Sequence, residues 1–371
     1  MPLSIFVDAL SYTYLREQYK TLAPDADLAP LRPNIGYSSV LHWQLYCNRY
    51  PDARGTFVDW TKKPEPNRSV RVLSRLLQPL DHIAPLGWLS RKALDRIFFR
   101  SNTFANIPYR FRPLFSNCGK YLFFDRKNLE NEEIFAGYCV VLQDEGRRSL
   151  ADCMDEFLDL IQHDTKNIFL SFGFADQIGH TCQRGAQYDA RLQESVRMLF
   201  DGVAQYHERF AQEEILLVSD HGMSTVQQSV RIDLQRHFGK ESPKTYFCYR
   251  DTAVMCVFAT QNALKETIAA YLQSLPYGHL LTESQRQYYG VTDRDFGDLI
   301  FILHEGFVFE DNWFGKAARR SLHCGSSHGF WHGESICDQT ASVLLISQKR
   351  ALQPSYEYPQ AYELIRSVMQ G

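Results

Sequence analysis

The chain has 371 residues, 44% of them hydrophobic and 13% aromatic, so it can bury a large core and is long for one simple domain. Its formal net charge of −3 argues against nucleic acid as an obligatory partner, because nucleic-acid-binding domains carry a clear basic excess. No apolar stretch approaches the roughly 20 residues that a membrane-spanning helix needs.

The amino-terminal residues 1–8 show no features of a secretion signal. They have no basic start, no long apolar run and no small-residue cleavage site, and the first strand is predicted to begin at about Leu3. The nine cysteines are scattered, odd in number and without a C-x-x-C pair, which is typical of reduced thiols rather than a disulfide framework. These observations predict a cytoplasmic protein.

Four short apolar runs predict buried strands, which we expect to be parallel because the runs lack polar alternation. They lie at 4–8, 167–176, 214–220 and 342–347. The first three end in an acid, namely Asp8, Asp176 and Asp220.

Helical spacing of apolar residues predicts helices at 149–163 and 190–211, between the strand-like runs. This alternation predicts an α/β fold with a doubly wound, mostly parallel sheet and helices on both faces. In such sheets ligands bind beyond the carboxyl ends of the strands. We therefore expect Asp8, Asp176 and Asp220 to converge.

Two segments depart from this alternation. Residues 61–127 are rich in basic and aromatic residues and poor in acids, which predicts a helical insertion or lid within a catalytic domain formed by 1–60 and 128–371. A solvated cap is our preferred interpretation of this insertion, and a peripheral membrane contact is the alternative. Residues 277–325 are predicted to add a small antiparallel element with a strand at 298–304.

Two of the strand-end acids are followed by histidines. Asp176 and His180 are four residues apart, so in a helix both would face one divalent ion; the alternative is that Asp176 only caps a helix. Asp220 and His221 are adjacent, and both reach one ion only at a sharp turn, which Gly222 would permit. The alternative there is a turn aspartate beside a surface histidine.

Asp8 and His328 complete a possible ligand set. A buried acid at a strand end is costly unless it is paired with a cation; the alternative is that Asp8 caps the following helix. His328 lies in a Gly/Ser-rich loop, and His323 and His332 are competing candidates for the same ligand position.

The candidate ligands are three carboxylates and three imidazoles, which divide into two sets of three. Open three-ligand sites suit catalytic Zn²⁺. Two such ions can hold the attacking and leaving oxygens of an in-line displacement.

Ser38 is the candidate nucleophile. It is placed to open the helix that runs through Val40, Leu41 and Leu45, where backbone N–H groups and the helix dipole favour a phosphate. A metal ion would lower the pKa of its hydroxyl. The alternative is a simple N-cap serine.

In this order the motifs resemble those of the alkaline phosphatase superfamily, and most of all its type I phosphodiesterase/nucleotide pyrophosphatase branch. That branch has an early strand-end Asp, a Ser or Thr nucleophile, D-x-x-x-H, D-H-G and a late H-G. The corresponding residues here are Asp8, Ser38, Asp176 with His180, Asp220 with His221, and His328. The resemblance spans nearly the whole chain.

The resemblance implies one ion held by Asp8, Asp220 and His221 and bound to Ser38, and a second held by Asp176, His180 and His328. The element Pro51-x-x-x-Gly55, at the family's distance from the nucleophile, selects Ser38 over Ser39. Ser39 and Asp59 are candidate substrate-binding residues. Asp59 stands where the family has an asparagine that binds phosphate.

Two family signatures are absent. The nucleophile motif lacks the Thr-Phe-Pro-Asn of nucleotide-cleaving members, so a nucleotide pocket does not carry over, and the Cys-x-Pro-x-Arg of sulfatases is also missing.

The sequence thus predicts a metal-dependent hydrolase that cleaves a phosphodiester or pyrophosphate bond through a phosphoserine intermediate. Its expected cofactors are two divalent ions, Zn²⁺ or alternatively Mn²⁺, because mixed Asp/His sites accept both. The expected substrate is a small-molecule or lipid- or sugar-linked phosphate ester. The alternatives are a phosphomonoesterase or sulfate-ester hydrolase on the same fold, and a catalytically silent metal-binding or interaction protein.

Overall fold

A computed structural model describes residues 2–58, 60–65, 67–98, 107–117, 126–129, 131–143, 148–310, 322–333 and 335–371. The strands are, in chain order, β1 Leu3–Val7, β2 Asp27–Leu31, β3 Trp60–Thr61, β4 Ser116–Asn117, β5 Cys139–Leu142, β6 Ile168–Phe172, β7 Ile215–Val218, β8 Ser224–Thr225, β9 Gln228–Val230, β10 Tyr246–Arg250, β11 Val254–Ala259, β12 Gly278–Leu280, β13 Leu299–Leu303, β14 Phe307–Phe309, β15 Ser326–Ser327 and β16 Ala341–Ile346.

The α-helices are, in chain order, α1 Tyr12–Leu22, α2 Ser38–Cys47, α3 Pro51–Arg54, α4 Arg68–Leu77, α5 Ala84–Phe98, α6 Arg126–Leu129, α7 Leu150–Gln162, α8 Phe174–Thr181, α9 Ala186–Arg209, α10 Leu234–Phe238, α11 Asn262–Gln273, α12 Glu283–Tyr289 and α13 Tyr358–Met369. In the part of the chain described, no helix is both long and apolar enough to cross a bilayer.

The predicted helices are confirmed, with shifted bounds. Ser149 caps α7 through a capping box with Asp152, so this helix begins where the sequence suggested. Helix α9 begins at Ala186, four residues before the predicted start at Ala190. Its extra turn buries Tyr188 in the core, which gives a reason for the earlier start.

The central sheet has the strand order β2-β16-β7-β1-β6-β5. Strands β5, β6, β1 and β7 are parallel to their neighbours within this group. Strand β16 is antiparallel to both β7 and β2. The prediction of a mostly parallel sheet is confirmed, whereas the expectation that the run at 342–347 is a parallel strand is wrong. A fully buried strand has the same apolar pattern in either direction, so this run did not reveal its orientation.

Both faces of the central sheet are covered. On one face β1 residues such as Ile5 and Val7 pack with α1, α7 and α9, while Phe6 faces the other side and packs with α2 and α13. This side-to-side alternation along β1 follows from the period of two in a strand. The doubly wound architecture is therefore confirmed.

A second sheet stands apart from the central one. It has the order β10-β11-β13-β12 and is antiparallel throughout. The predicted strand at 298–304 is β13, and the expected antiparallel element is larger than predicted because β10 and β11 also belong to it. Trp60, Phe111 and Phe115 pack on one of its faces. The eight cysteines described form no disulfide.

Candidate active site

Three acids meet at one edge of the central sheet, because β7, β1 and β6 are adjacent and parallel. Asp8 follows β1 directly, and Asp220 stands two residues after β7. Asp176 lies in the first turn of α8, which begins soon after β6. The carboxyl ends of neighbouring parallel strands thus bring together residues that are more than 200 positions apart.

The alternative interpretations, in which Asp8, Asp176 and Ser38 only cap helices, are wrong. The N-cap positions of α1, α8 and α2 are occupied by Ser11, Gly173 and Tyr37. The three side chains are therefore not needed to satisfy helix ends, and all of them point toward the sheet edge.

One group of possible metal ligands contains Asp176, His180 and His328, whose ligand atoms all lie within 4.8 Å of one another. His180 Nε2 is 3.2 Å and His328 Nε2 is 3.7 Å from Asp176 Oδ1. The four-residue spacing within α8 places Asp176 and His180 on the same helix face. His328 comes from the loop after β15, which pairs with β8 just beyond His221.

The two competing histidines lie elsewhere. His323 is exposed, and His332 Nε2 lies 2.7 Å from the carbonyl oxygen of Pro33. The structure thus brings His328, and neither competitor, to Asp176.

The second predicted set, Asp8, Asp220 and His221, is joined through His221. Ligand atoms that all lie within 4.8 Å of one another group Asp8 with Asp176 and His221, and Asp8 with His42 and Asp220. His221 Nε2 lies 3.5 Å from both Asp8 Oδ1 and Asp220 Oδ2. His221 Nδ1 lies 3.0 Å from the carbonyl oxygen of Gly222, which can only accept, so Nδ1 carries the proton. The lone pair of Nε2 therefore faces the two carboxylates. This is the tautomer that an imidazole ligand needs, fixed by a backbone carbonyl.

The two oxygens of Asp220 have different surroundings. Oδ1 accepts hydrogen bonds from the N–H groups of Ala9, at 3.3 Å, and His221, at 3.0 Å, which fixes the carboxylate. Ala9 adopts φ of 61°, a strained left-handed conformation for alanine, in a loop also held by a bond from Leu10 N–H to Ser219 Oγ at 3.0 Å. Strain of this kind often accompanies a functional site.

Two buried carboxylate oxygens, Asp220 Oδ2 and Asp176 Oδ1, have no hydrogen-bond partner of good geometry among the described residues. A buried acceptor without a partner is costly, and a bound cation removes that cost. Their neighbours include the imidazole nitrogens of His221, His180 and His328. Such oxygen and nitrogen donors fit divalent ions such as Zn²⁺ or Mn²⁺.

The electrostatics of the cluster also fit a cation. Burial raises the pKa of Asp8 well above its ordinary value, and the charges of Asp220 and Asp176 raise it further. Burial also raises the pKa of Asp176, but the nearby imidazoles of His180 and His328 outweigh it and lower the pKa to about 2. Burial lowers the pKa of His328 well below its ordinary value. Three crowded carboxylates favour a positive charge among them.

Ser38 lies at the first position of α2, as predicted, with its hydroxyl directed into the cluster. Its Oγ lies 3.2 Å from Asp8 Oδ1 and 2.9 Å from His221 Nε2, two acceptors for its single proton. Ser39 is the next residue of α2 and is half-buried. Asp59, the other predicted substrate-binding residue, lies outside the described residues.

Solved structures resemble the chain over almost its full length. Human ectonucleotide pyrophosphatase/phosphodiesterase 5 superposes with a TM-score of 0.63 at 11% identity, over 100% of this chain and 94% of that one. Phosphonoacetate hydrolase from Sinorhizobium meliloti, in complex with phosphonoformate, gives 0.61 at 11% identity, over 99% and 95%. An inactive form of the murine phosphodiesterase 5, in complex with AMP, gives 0.60 at 10% identity, over 100% and 94%.

The chain has the alkaline phosphatase-like fold. No protein-family profile matches its sequence, and no curated protein does. At 10–11% identity the likeness shows the fold only, and any chemistry has to be inferred from the residues of this chain. Within this alkaline phosphatase-like fold, the six predicted ligand residues and Ser38 all lie at one edge of the sheet.

Sequence reasoning missed His42. This buried side chain of α2 lies with Nε2 3.2 Å from Asp220 Oδ2, and Asp8, His42 and Asp220 form a further group with ligand atoms within 4.8 Å. Its ring packs edge-on against Phe6 at 4.6 Å. Because His42 stands one helical turn after Ser38, an i, i+4 search from the predicted nucleophile would have found it.

Gly222 is needed for space, not for backbone freedom as the sequence suggested. Its φ is not in the left-handed region, but a Cβ there would lie 2.0 Å from the carbonyl oxygen of Asp338 and 2.5 Å from Ser11 Cβ. Gly222 N–H also donates to the carbonyl oxygen of Gln339 at 2.8 Å. The close approach of these backbones fixes the loop that carries Asp220 and His221.

We expect Gly222→Ala to lower the free energy of unfolding by about 1–3 kcal/mol, the usual cost of overpacking, and to reduce turnover as the loop shifts. Urea unfolding and an esterase assay measure the two effects. Gly173→Ala is the matched control, since a Cβ there meets nothing within 4 Å and its φ of −104° suits alanine. Equal stability of the two variants would contradict the steric explanation.

Proposed function

We propose that the protein is a two-metal-dependent hydrolase of phosphate esters that uses Ser38 as its nucleophile. The observation that carries this proposal is the position of Ser38 Oγ, 3.2 Å from Asp8 Oδ1 and 2.9 Å from His221 Nε2, at the start of a helix. A hydroxyl that only capped a helix would have no reason to face a carboxylate and an imidazole from two other loops.

The two groups of side chains would hold the ions. Asp176, His180 and His328 would form one set. Asp8, Asp220 and His221 would form the other, with His42 Nε2 3.2 Å from Asp220 Oδ2. Divalent ions bound there would favour the ionised hydroxyl of Ser38 and neutralise charge on phosphoryl oxygens. The mixed Asp/His composition suits Zn²⁺ and accepts Mn²⁺.

The chemistry of the chain's own residues follows from this placement. Ser38 Oγ gives its proton to solvent and attacks phosphorus, the P–O bond to the leaving alcohol or phosphate breaks, and the leaving oxygen gains a proton from solvent. Water then attacks the phosphorus of the phosphoserine, and the P–Oγ bond breaks. A proton from that water restores the Ser38 hydroxyl, and the phosphate product leaves. The N–H groups at the start of α2, which have no intrahelical partner, are placed to bind a phosphoryl oxygen. Ser39 supplies a hydroxyl beside them.

The solved neighbours support phosphorus chemistry and leave the substrate open. One was solved with AMP and another with phosphonoformate, two quite different ligands on a shared fold. We propose a phosphodiester or pyrophosphate bond in a small-molecule or lipid- or sugar-linked ester. Residues 61–127 would act as an insertion into the catalytic unit of 1–60 and 128–371 and would contact the rest of the substrate.

The test is a substrate screen with the purified protein, loaded with Zn²⁺ or Mn²⁺. We expect hydrolysis of bis-p-nitrophenyl phosphate to exceed that of p-nitrophenyl phosphate, and p-nitrophenyl sulfate to remain uncleaved. Faster cleavage of the monoester or of the sulfate would assign the site to that bond instead. No hydrolysis of any phosphate ester, despite two bound ions per chain, would identify a silent binding protein and overturn the proposal.

A further inference from the structure

Exposed apolar side chains are concentrated in one helical hairpin. Among the residues described, nine large hydrophobic side chains are exposed, and six of these lie between positions 72 and 97. We call these six the hairpin face: Val72, Leu76, Ile83, Leu86, Leu89 and Ile97. Exposed aliphatic residues gathered on one hairpin are typical of a surface that contacts another apolar phase.

The outward side of α4 mixes aliphatic and basic residues. Arg68, Val72, Arg75 and Leu76 recur at helical spacing and are exposed, with Leu76 reaching 69%. The inward side, with Val70, packs on a small core that includes Leu94 of α5. Helix α4 is therefore anchored through one side and leaves a cationic, apolar side to solvent.

Helix α5 repeats this arrangement. Leu86, Leu89 and Ile97 recur at helical spacing and are exposed to 53%, 55% and 73%. The buried side includes Gly87, where a Cβ would lie 2.4 Å from the carbonyl oxygen of Leu80. This close packing holds the start of α5 against the turn that follows α4, so the exposed residues belong to a packed hairpin.

The described acids of the hairpin and its surroundings are turned away from solvent. Glu65 pairs with Arg112 in the interior. Asp81 pairs with Arg91 at 2.6 Å and accepts backbone N–H bonds at 3.0 and 3.1 Å. Asp95 is fully buried. Within 61–127 the remaining acid is Asp125, which lies outside the described residues.

Several basic residues, in contrast, face solvent. Arg68, Arg75 and Arg96 are exposed on α4 and α5. Lys92 Nζ lies 4.9 Å from the ring centre of the half-buried Trp88, a pairing of amphipathic side chains that suits a membrane interface. The charge beside the hairpin face is therefore positive, although the chain as a whole carries −3.

We propose that the hairpin face docks the protein on the surface of an anionic lipid bilayer, with α4 and α5 lying in the interface. Aliphatic side chains that enter the acyl region and arginines that reach the headgroups match this surface. A nucleic acid offers no apolar phase for six exposed aliphatic residues. The ten residues of α4 span about 15 Å, half a bilayer, so the helix lies on the membrane and does not cross it. This goes beyond the proposed function and does not depend on catalysis.

The test is co-sedimentation with vesicles of phosphatidylcholine alone and vesicles that also contain phosphatidylglycerol. We expect the wild type to bind the anionic vesicles and to be released by salt. Replacing Arg68 and Arg75 by Gln should lower the partition coefficient about 30-fold. Replacing Leu76, Leu89 and Ile97 by Ser should lower it more than about tenfold.

The matched control replaces two exposed apolar residues outside the hairpin, Leu322 and Ile336, by Ser, and should bind as the wild type does. Thermal melting verifies that each variant is folded. Failure of the wild type to bind anionic vesicles would overturn the proposal, as would equal binding by the Leu76/Leu89/Ile97 variant. Binding to a DNA duplex without binding to vesicles would assign the face to nucleic acid and would also overturn it. Because sedimentation needs no turnover, its result is independent of the esterase assay.

Discussion

Ser38→Ala is expected to lower kcat by on the order of 10³-fold or more, because it removes the attacking oxygen and leaves only binding and charge stabilisation. Substrate affinity should change little, since the phosphate-binding backbone of α2 remains. After rapid acid quenching with a slow substrate, intact-mass measurement should find a phosphoryl group on the wild type and none on the variant.

The matched control is Ser39→Ala, one residue further along α2. It keeps the hydroxyl that faces Asp8 and His221, so its kcat should stay within about tenfold of the wild type if Ser39 only assists binding. A phosphoryl group on Ser39, or a greater loss in Ser39→Ala than in Ser38→Ala, would show that the nucleophile is misassigned.

Removal of divalent ions is expected to abolish turnover and to lower thermal stability together. In the metal-free protein Asp8, Asp176 and Asp220 repel one another at close range, whereas bound ions neutralise them. At a free ion concentration about 100 times the Kd, a single site adds about 2.7 kcal/mol to the free energy of unfolding. Chelation followed by Zn²⁺ or Mn²⁺ titration, monitored by melting temperature and turnover, measures both effects.

Asp176→Asn tests the proposed site of Asp176, His180 and His328, although Asp176 also lies near Asp8 and His221. Elemental analysis of this variant should find one ion per chain. The affinity for the second ion should fall by at least about tenfold, a typical effect for loss of one supporting group. Asp155→Asn, an exposed position on α7, is the matched control and should bind two ions. Full turnover after complete chelation, or two tightly bound ions in Asp176→Asn, would rule out the proposed arrangement.

The part of the site that the sequence predicted rests on local patterns. Short buried runs that end in acids indicate strands with functional carboxyl ends, and the four-residue spacing of Asp176 and His180 needs only a helix. The sequence did not show that β7, β1 and β6 are adjacent. It did predict a parallel sheet, and the acids at the carboxyl ends of parallel strands are expected to lie near one another. The alkaline phosphatase-like fold followed from the order of the motifs.

What the sequence missed depends on tertiary contact. The spacing of His42 from Ser38 does not by itself separate a ligand from a core histidine, and the place of His42 beside Asp220 appears only once α2 lies against the sheet. The antiparallel direction of β16 is set by its pairing with β7 and β2. The tight space at Gly222 is created by the backbone of Asp338, more than 100 residues away.

The central position of β1 has a consequence for how the molecule is made. Its two neighbours, β6 and β7, are synthesised about 160 and 210 residues later. Strand β1 therefore cannot pair with β6 until nearly half of the chain has left the ribosome, or with β7 until more than half has. Closing such long loops costs chain entropy before any contact offsets it, which slows folding. Until then β1 has two unpaired apolar edges, the kind of segment that chaperones protect. Nascent chains arrested before β7 should therefore remain aggregation-prone.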